Sequence, residues 1–126
     1  MSLVAQNVAV EKEVNGRVIT ISVSGKLSRS DYDLFVPAID EEIEQHGQVR
    51  LLFDFVGFHG WTMGALFEDT KFAVKHYSAI ARIAIVGDKR WEKVMASLCK
   101  PFTKAKVRFY DIAEVEVAKS WLREGL

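Results

Sequence analysis

Hydrophobic and polar positions along the chain change period several times, and each change marks an element. Val8 to Val14 alternates loosely and runs into Asn15-Gly16, a strong signal for a two-residue hairpin. Val18-Ile19-Thr20-Ile21-Ser22-Val23 follows, rich in β-branched residues, so two antiparallel strands are expected. The period then becomes helical: Tyr32, Phe35, Val36, Ile39 and Ile43 recur at three- and four-residue spacing. Ser28 or Ser30 can cap this helix, Pro37 is expected to kink or restart it, and Gly47 ends it.

The alternation repeats three times. Val49–Phe55 is a nearly continuous apolar strand, as in a parallel sheet. Met63–Tyr77 reads as a helix, with Thr62 as its cap. Ala81–Val86 is a second buried strand. Asp88 caps a helix whose Trp91, Val94, Met95, Leu98 and Cys99 share one face, and Pro101 ends it. Lys106–Tyr110 is the last strand, and Asp111 caps a final helix carrying Ile112, Val115, Val117, Ala118, Trp121 and Leu122. The order β-β-α-β-α-β-α-β-α predicts one α/β domain over residues 1–126, with a mainly parallel sheet and an antiparallel first strand. The order of strands in the sheet does not follow from the sequence. If they add sequentially, right-handed crossovers place most helices on one face, and the other needs cover from the first strand, the kinked helix or a second subunit.

Every βα connection of a parallel sheet emerges at the carboxyl ends of its strands, where ligands usually bind. That rim collects Gly25–Ser30, Gly57–Thr62, Gly87–Trp91 and Asp111. The connection Phe58-His59-Gly60-Trp61-Thr62 holds more aromatic and imidazole chemistry than a turn needs, and Gly57 and Gly60 would let it turn and move. The helix after it is apolar on two sides. Leu66, Thr70, Ala73, Val74 and Tyr77 form one stripe; Trp61, Ala65, Phe72 and His76 form the other, with Asp69 within it, if Trp61 enters the first turn. Core packing is the ordinary use of such stripes. The sharper reading makes Phe58, His59, Trp61, Phe72 and His76 the wall of an apolar ligand site.

Composition excludes several classes. A chain of 126 residues, 49% hydrophobic, can bury roughly two thirds of its unfolded surface without a metal or disulfide staple. Cys99 is the only cysteine, so no internal disulfide can form, which fits a reducing cytoplasm. The first residues lack a basic region followed by an apolar one, and no apolar run approaches the roughly 20 residues of a membrane span. Net charge is zero but segregated: residues 1–70 hold 5 Lys/Arg against 11 Asp/Glu, and residues 71–108 hold 10 against 2. A basic middle suits an anionic partner, although solvated helix faces use lysines the same way. Lys89, Arg90, Lys93 and Lys100 flank Trp91, Met95 and Phe102, a pattern that can dock on anionic lipid or simply face a core.

Catalytic chemistry finds little support. No serine stands where a nucleophile elbow would need one. Cys99 is spaced as a core residue. His59 and His76 are 17 apart, unlike a compact zinc motif, and His46 falls in the last turn of an acidic helix, where a cation is favourable. No phosphate cradle or nucleic-acid motif appears. The expectation is a non-enzymatic protein without cofactor, metal or specific nucleic-acid partner.

The element order is similar to that of the STAS domains. Closer local stretches resemble the bacterial SpoIIAA-like family: Gly25-Lys26-Leu27 with Asp31-Tyr32 and Phe35-Val36-Pro37, Phe58-His59-Gly60-Trp61, Val86-Gly87-Asp88-Lys89 with Trp91, and Lys100-Pro101-Phe102. The resemblance spans nearly the whole chain and implies a partner-binding α/β module. STAS antagonists carry a phosphorylatable serine at the start of the helix after the third strand. The matching stretch here is Gly60-Trp61-Thr62-Met63, which offers only Thr62 as a possible phosphosite. Two functions therefore compete. One is a cytoplasmic module, peripheral at the inner membrane face, that engages an apolar small molecule or lipid, or an anionic membrane through Lys89, Arg90, Trp91, Lys93, Lys100 and Phe102. The other is a protein-interaction regulator of the anti-sigma-factor-antagonist type. An uncovered sheet face would favour a homodimer.

Overall fold

The computed structural model describes residues 2–4, 8–61, 79–87 and 106–126, with side chains over 8–25, 28–55, 79–87 and 106–126. Six strands form one sheet in chain order: β1 (Ser2–Val4), β2 (Val8–Glu13), β3 (Val18–Leu27), β4 (Val49–Trp61), β5 (Ile80–Val86) and β6 (Lys106–Tyr110). β1–β2 and β2–β3 pair antiparallel, while β3–β4, β4–β5 and β5–β6 are parallel. β1 lies outside the sequence expectation; three residues carry too short a pattern to read.

The β2–β3 connection is a four-residue turn, Val14–Arg17, closed by the last pair Glu13–Val18, and not the two-residue hairpin its Asn-Gly suggests. Val14, Asn15 and Gly16 all have positive φ, at 53°, 57° and 87°. A β-branched residue resists that region, but Val14 is held there by packing against the second apolar cluster described below.

α1 runs unbroken from Arg29 to His46. Pro37 neither ends nor restarts it, because Pro37 and Asp33, whose carbonyl loses its donor, both lie on the exposed face within reach of water. Ser28 is the N-cap. Its N–H and its hydroxyl donate to Asp31 Oδ2 at 2.8 and 2.9 Å, and the Asp31 N–H returns to the Ser28 carbonyl at 3.1 Å. Gly47, at φ 80°, closes the helix through its N–H to the Ile43 carbonyl.

Alternation along the strands builds two cores. On one face, Val8, Val10, Ile19, Ile21, Val23, Leu51, Ile83 and Ile85 meet the α1 stripe Tyr32, Phe35 and Ile39. Tyr32, Phe35, Phe53 and Phe55 continue as an aromatic chain, with centroids 4.7, 6.4 and 5.6 Å apart. On the other face, Val18, Leu52, Ala84 and Val86 pack against Ala118, Trp121 and Leu122 of α2 (Val115–Arg123). A 3-10 turn, Ile112–Glu114, precedes α2, and the Asp111 carboxylate caps it by accepting from the Ile112 N–H at 2.7 Å.

The strands are therefore sequential, yet the two described helices sit on opposite faces. The crossover rule constrains only helices between parallel strands. α2 comes after β6 and links no two strands of the described sheet, so the rule does not fix the face it covers. Where α2 does not reach, over β2 and β3, that face carries Ala9, Glu11, Thr20 and Ser22, half-buried or exposed.

Candidate functional site

The carboxyl ends of the parallel strands differ from expectation at the point that matters most. Gly25–Leu27 and Gly57–Trp61 are not loops. β3 runs on to Leu27 and β4 to Trp61, paired as Ser24–Gly57, Gly25–Phe58, Lys26–Gly60 and Leu27–Trp61. From Ser22–Asp54 to Ser24–Gly57, β4 spends three residues against two; from Gly25–Phe58 to Lys26–Gly60, it spends two against one. Each step is a bulge holding one extra residue of β4, and His59 is the residue inserted at the second. Isolated glycines in a strand-forming run accommodate bulges as well as turns, which is why Gly57 and Gly60 misdirect a reading of this stretch as a hinge.

Backbone pairing thus fixes Phe58, His59 and Trp61 on β4. Trp61 ends a strand, where the sequence expectation has it enter the first turn of a helix. The side chains of Phe58, His59 and Trp61 lie outside the described residues. So do Thr62, the helices expected at Met63–Tyr77 and after Asp88, Phe72, His76, Cys99 and the segment with Lys89, Arg90, Trp91, Lys93, Lys100 and Phe102. The pairing of β5 with β4 ends before this extension, at Val86 opposite Asp54. Gly87 passes the end of the aromatic chain: a Cβ there would stand 3.5 Å from Phe55 Cβ, an ordinary contact.

A basic site lies at the other end of the sheet, on the α2 face. Arg50 pairs laterally with Arg82, and Arg82 with Lys106, so three adjacent strands present a row of cations. Neighbouring like charges repel, and the C-terminus of α2 offsets part of that repulsion. Arg50 Nη1 donates to the carbonyls of Leu122 at 2.9 Å and Glu124 at 2.5 Å, and Arg82 Nη1 to that of Trp121 at 2.7 Å. These carbonyls lie at a helix end, where the dipole also favours cations; that of Trp121 accepts the Glu124 N–H as well, at 3.3 Å. Arg82 adds an ion pair with Glu124 at 3.5 Å. Burial holds the Arg50 guanidinium below its ordinary pKa, and Arg82 lowers it further against an opposing pull from Glu124.

Trp121 is buried beneath two arginines: the Arg108 and Arg82 guanidinium carbons lie 4.7 and 5.1 Å from its ring centroid. Both distances are within cation–π range. Tyr110 approaches the same indole at 6.2 Å. Lys106 and Arg108 are exposed, and no described carboxylate forms an ion pair with either. Ile112 and Val117, also exposed, follow in the turn and helix after β6.

Sequence reasoning passed over Arg50, Arg82, Lys106 and Arg108 as a group. The signal was present: each of the strands V-R-L, I-A-R-I and K-V-R-F carries cations on an otherwise apolar run, and their alignment across the sheet needs the register to be seen.

Among the described residues no three His, Cys, Asp or Glu side chains converge as a metal cluster, and no helix is long and apolar enough to cross a membrane. The family model for SpoIIAA-like proteins matches residues 18–123. The chain is similar in structure to an uncharacterised DUF3478-family protein with a SpoIIAA-like fold from Shewanella loihica PV-4, with TM-score 0.74, 21% identity and 91% of each chain covered. No curated protein matches the sequence. The matched segment reaches from the start of β3 to the last turn of α2, and with the fold it settles the family: the chain belongs to the SpoIIAA-like proteins.

Proposed function

We propose that this protein is a non-enzymatic binding module, peripheral at the cytoplasmic membrane face, whose basic side docks on anionic lipid. The observation that carries this reading is the exposed pair Lys106 and Arg108 on β6, next to Arg50 and Arg82, which are already used by α2. Arg50 and Arg82 satisfy helix carbonyls, whereas Lys106 and Arg108 are exposed and form no ion pair with a described carboxylate, the Arg108 guanidinium lying over the Trp121 ring. Each cation held near an anionic surface contributes on the order of 1 kcal/mol, fading over a Debye length. The charge of residues 71–108 extends the reading to Lys89, Arg90, Lys93 and Lys100, with Trp91 and Phe102 as insertion groups. Phe58, His59, Trp61, Phe72 and His76 remain the proposed contacts of an apolar ligand or lipid tail, now with the first three on a bulged strand.

Cosedimentation with phosphatidylglycerol vesicles tests the electrostatic part. Binding is expected to exceed that to phosphatidylcholine and to fall as salt rises. Equal binding to both vesicle types would exclude it. Native mass spectrometry of freshly purified protein tests the ligand part, through a copurified lipid mass. A bare chain that also ignores anionic vesicles would favour the regulator that acts through protein contacts alone.

A further inference from the structure

We infer a binding site for a divalent transition-metal ion where the C-terminal end of α1 meets the β2–β3 turn, formed by His46 Nε2, Glu42 Oε2 and the Asn15 carbonyl. Glu42 and His46 are four residues apart on one helix and so share a face. His46 Nε2 lies 2.8 Å from the Asn15 carbonyl oxygen and 3.2 Å from Glu42 Oε2. Donor atoms bound to one zinc at about 2.0–2.2 Å stand roughly 3 Å apart. Both oxygens thus stand from the imidazole nitrogen at the spacing of ligands that share one ion.

A second observation points the same way. The Glu42 side chain is only 9% exposed, and its Oε2 is buried without a hydrogen-bond partner. The single proton that Nε2 can hold goes to the nearer Asn15 carbonyl, so the adjacent carboxylate oxygen receives none. A buried carboxylate oxygen left so is costly, and a metal replacing that proton would satisfy imidazole, carboxylate and carbonyl together, with the proton released to solvent. The other oxygen, Oε1, accepts from Lys12 Nζ at 3.1 Å, which fixes the carboxylate from its far side as outer partners of metal ligands do. Gly16 makes the room, since a Cβ there would stand 1.9 Å from Oε2. Lys12 also lies 3.8 Å from Glu41, so the ammonium is offset by a second carboxylate. Asp40, Glu41 and Glu44 in the last turns of α1, together with the negative end of its dipole, favour a cation. An imidazole with oxygen donors selects zinc, nickel or copper over magnesium or calcium. Sequence spacing does not reveal the site because one ligand is a main-chain carbonyl 31 residues from the histidine.

Calorimetric titration of the full chain with Zn2+ alone tests this. One saturable site is expected. His46→Gln should weaken it at least about tenfold while leaving thermal stability without metal unchanged, because the glutamine amide still has a donor for the Asn15 carbonyl. Glu42→Gln should also weaken it. The double variant His59→Gln/His76→Gln should bind as the parent does. No saturable binding, binding untouched by His46→Gln, or binding lost in the double variant would each overturn the inference.

Discussion

Gly16 is held by two constraints at once. Its φ of 87° suits glycine, and its missing side chain leaves the space that the Glu42 carboxylate fills. Neither constraint is relaxed by moving the other group: Glu42 is anchored by Lys12, and the turn is closed by the Gly16 N–H to the Glu13 carbonyl at 3.2 Å. Gly16→Ala should therefore cost about 2 kcal/mol or more, combining a disfavoured backbone with a displaced carboxylate. Urea unfolding beside the parent measures it. A loss below about 0.5 kcal/mol, the ordinary scatter of surface changes, would mean the turn and α1 are not locked together. The residues of this junction show what composition can and cannot convey. Asn15-Gly16 announces a turn, and His46 announces a helix end. That the two touch is a fact of packing between a hairpin and a helix, 31 residues apart, and no local period encodes it.

At the scale of elements, α1 poses a question of sign. Proline in a helix interior ordinarily costs about 3 kcal/mol. Here Pro37 is exposed, and it removes one backbone donor without interrupting the 18-residue helix or its buried stripe. Pro37→Ala should restore the bond to the Asp33 carbonyl and raise stability by about 1–2 kcal/mol, the gain being reduced because alanine frees the unfolded chain. Chemical denaturation reads it directly; a destabilised variant would show that the proline sets the geometry α1 needs over the sheet. Element type was legible wherever a period ran long enough. The strands at Val18, Val49, Ala81 and Lys106 begin within a residue of where the sequence places them, and the α1 helix and the Asp111 cap also stand, but β3 and β4 run four and six residues past their expected ends. The error at Gly57–Trp61 has a definite cause. Glycine marks both turns and bulges, and only the pairing of β4 with β3 distinguishes them. The basic row was equally hidden, since Arg50, Arg82 and Lys106 become neighbours through register alone.

At the scale of the whole molecule, charge and sheet order together give the protein a direction. Sequential strands carry the chain from its acidic first part to its basic middle, so α1, with six carboxylates, packs over β2 to β4 while Lys106 and Arg108 stand on β6. Strands are about 4.8 Å apart and a packed layer adds about 10 Å. The exposed acids of α1 thus lie beyond the roughly 8 Å Debye length of physiological salt from that patch. If the protein meets anionic lipid with its β6 side, neutralising Asp33 and Glu44 should change affinity less than about twofold, because their field is screened before it reaches the membrane. Lys106→Gln/Arg108→Gln removes the same number of charges where they count, and should weaken binding by about tenfold or more, at on the order of 1 kcal/mol per cation. All four side chains are exposed, so neither pair should alter the unfolding midpoint by much, apart from what Arg108 contributes over Trp121. The comparison is made on phosphatidylglycerol vesicles at physiological ionic strength. Effects of equal size and opposite sign from the two pairs would show that only net charge matters, and the oriented surface would have to be abandoned.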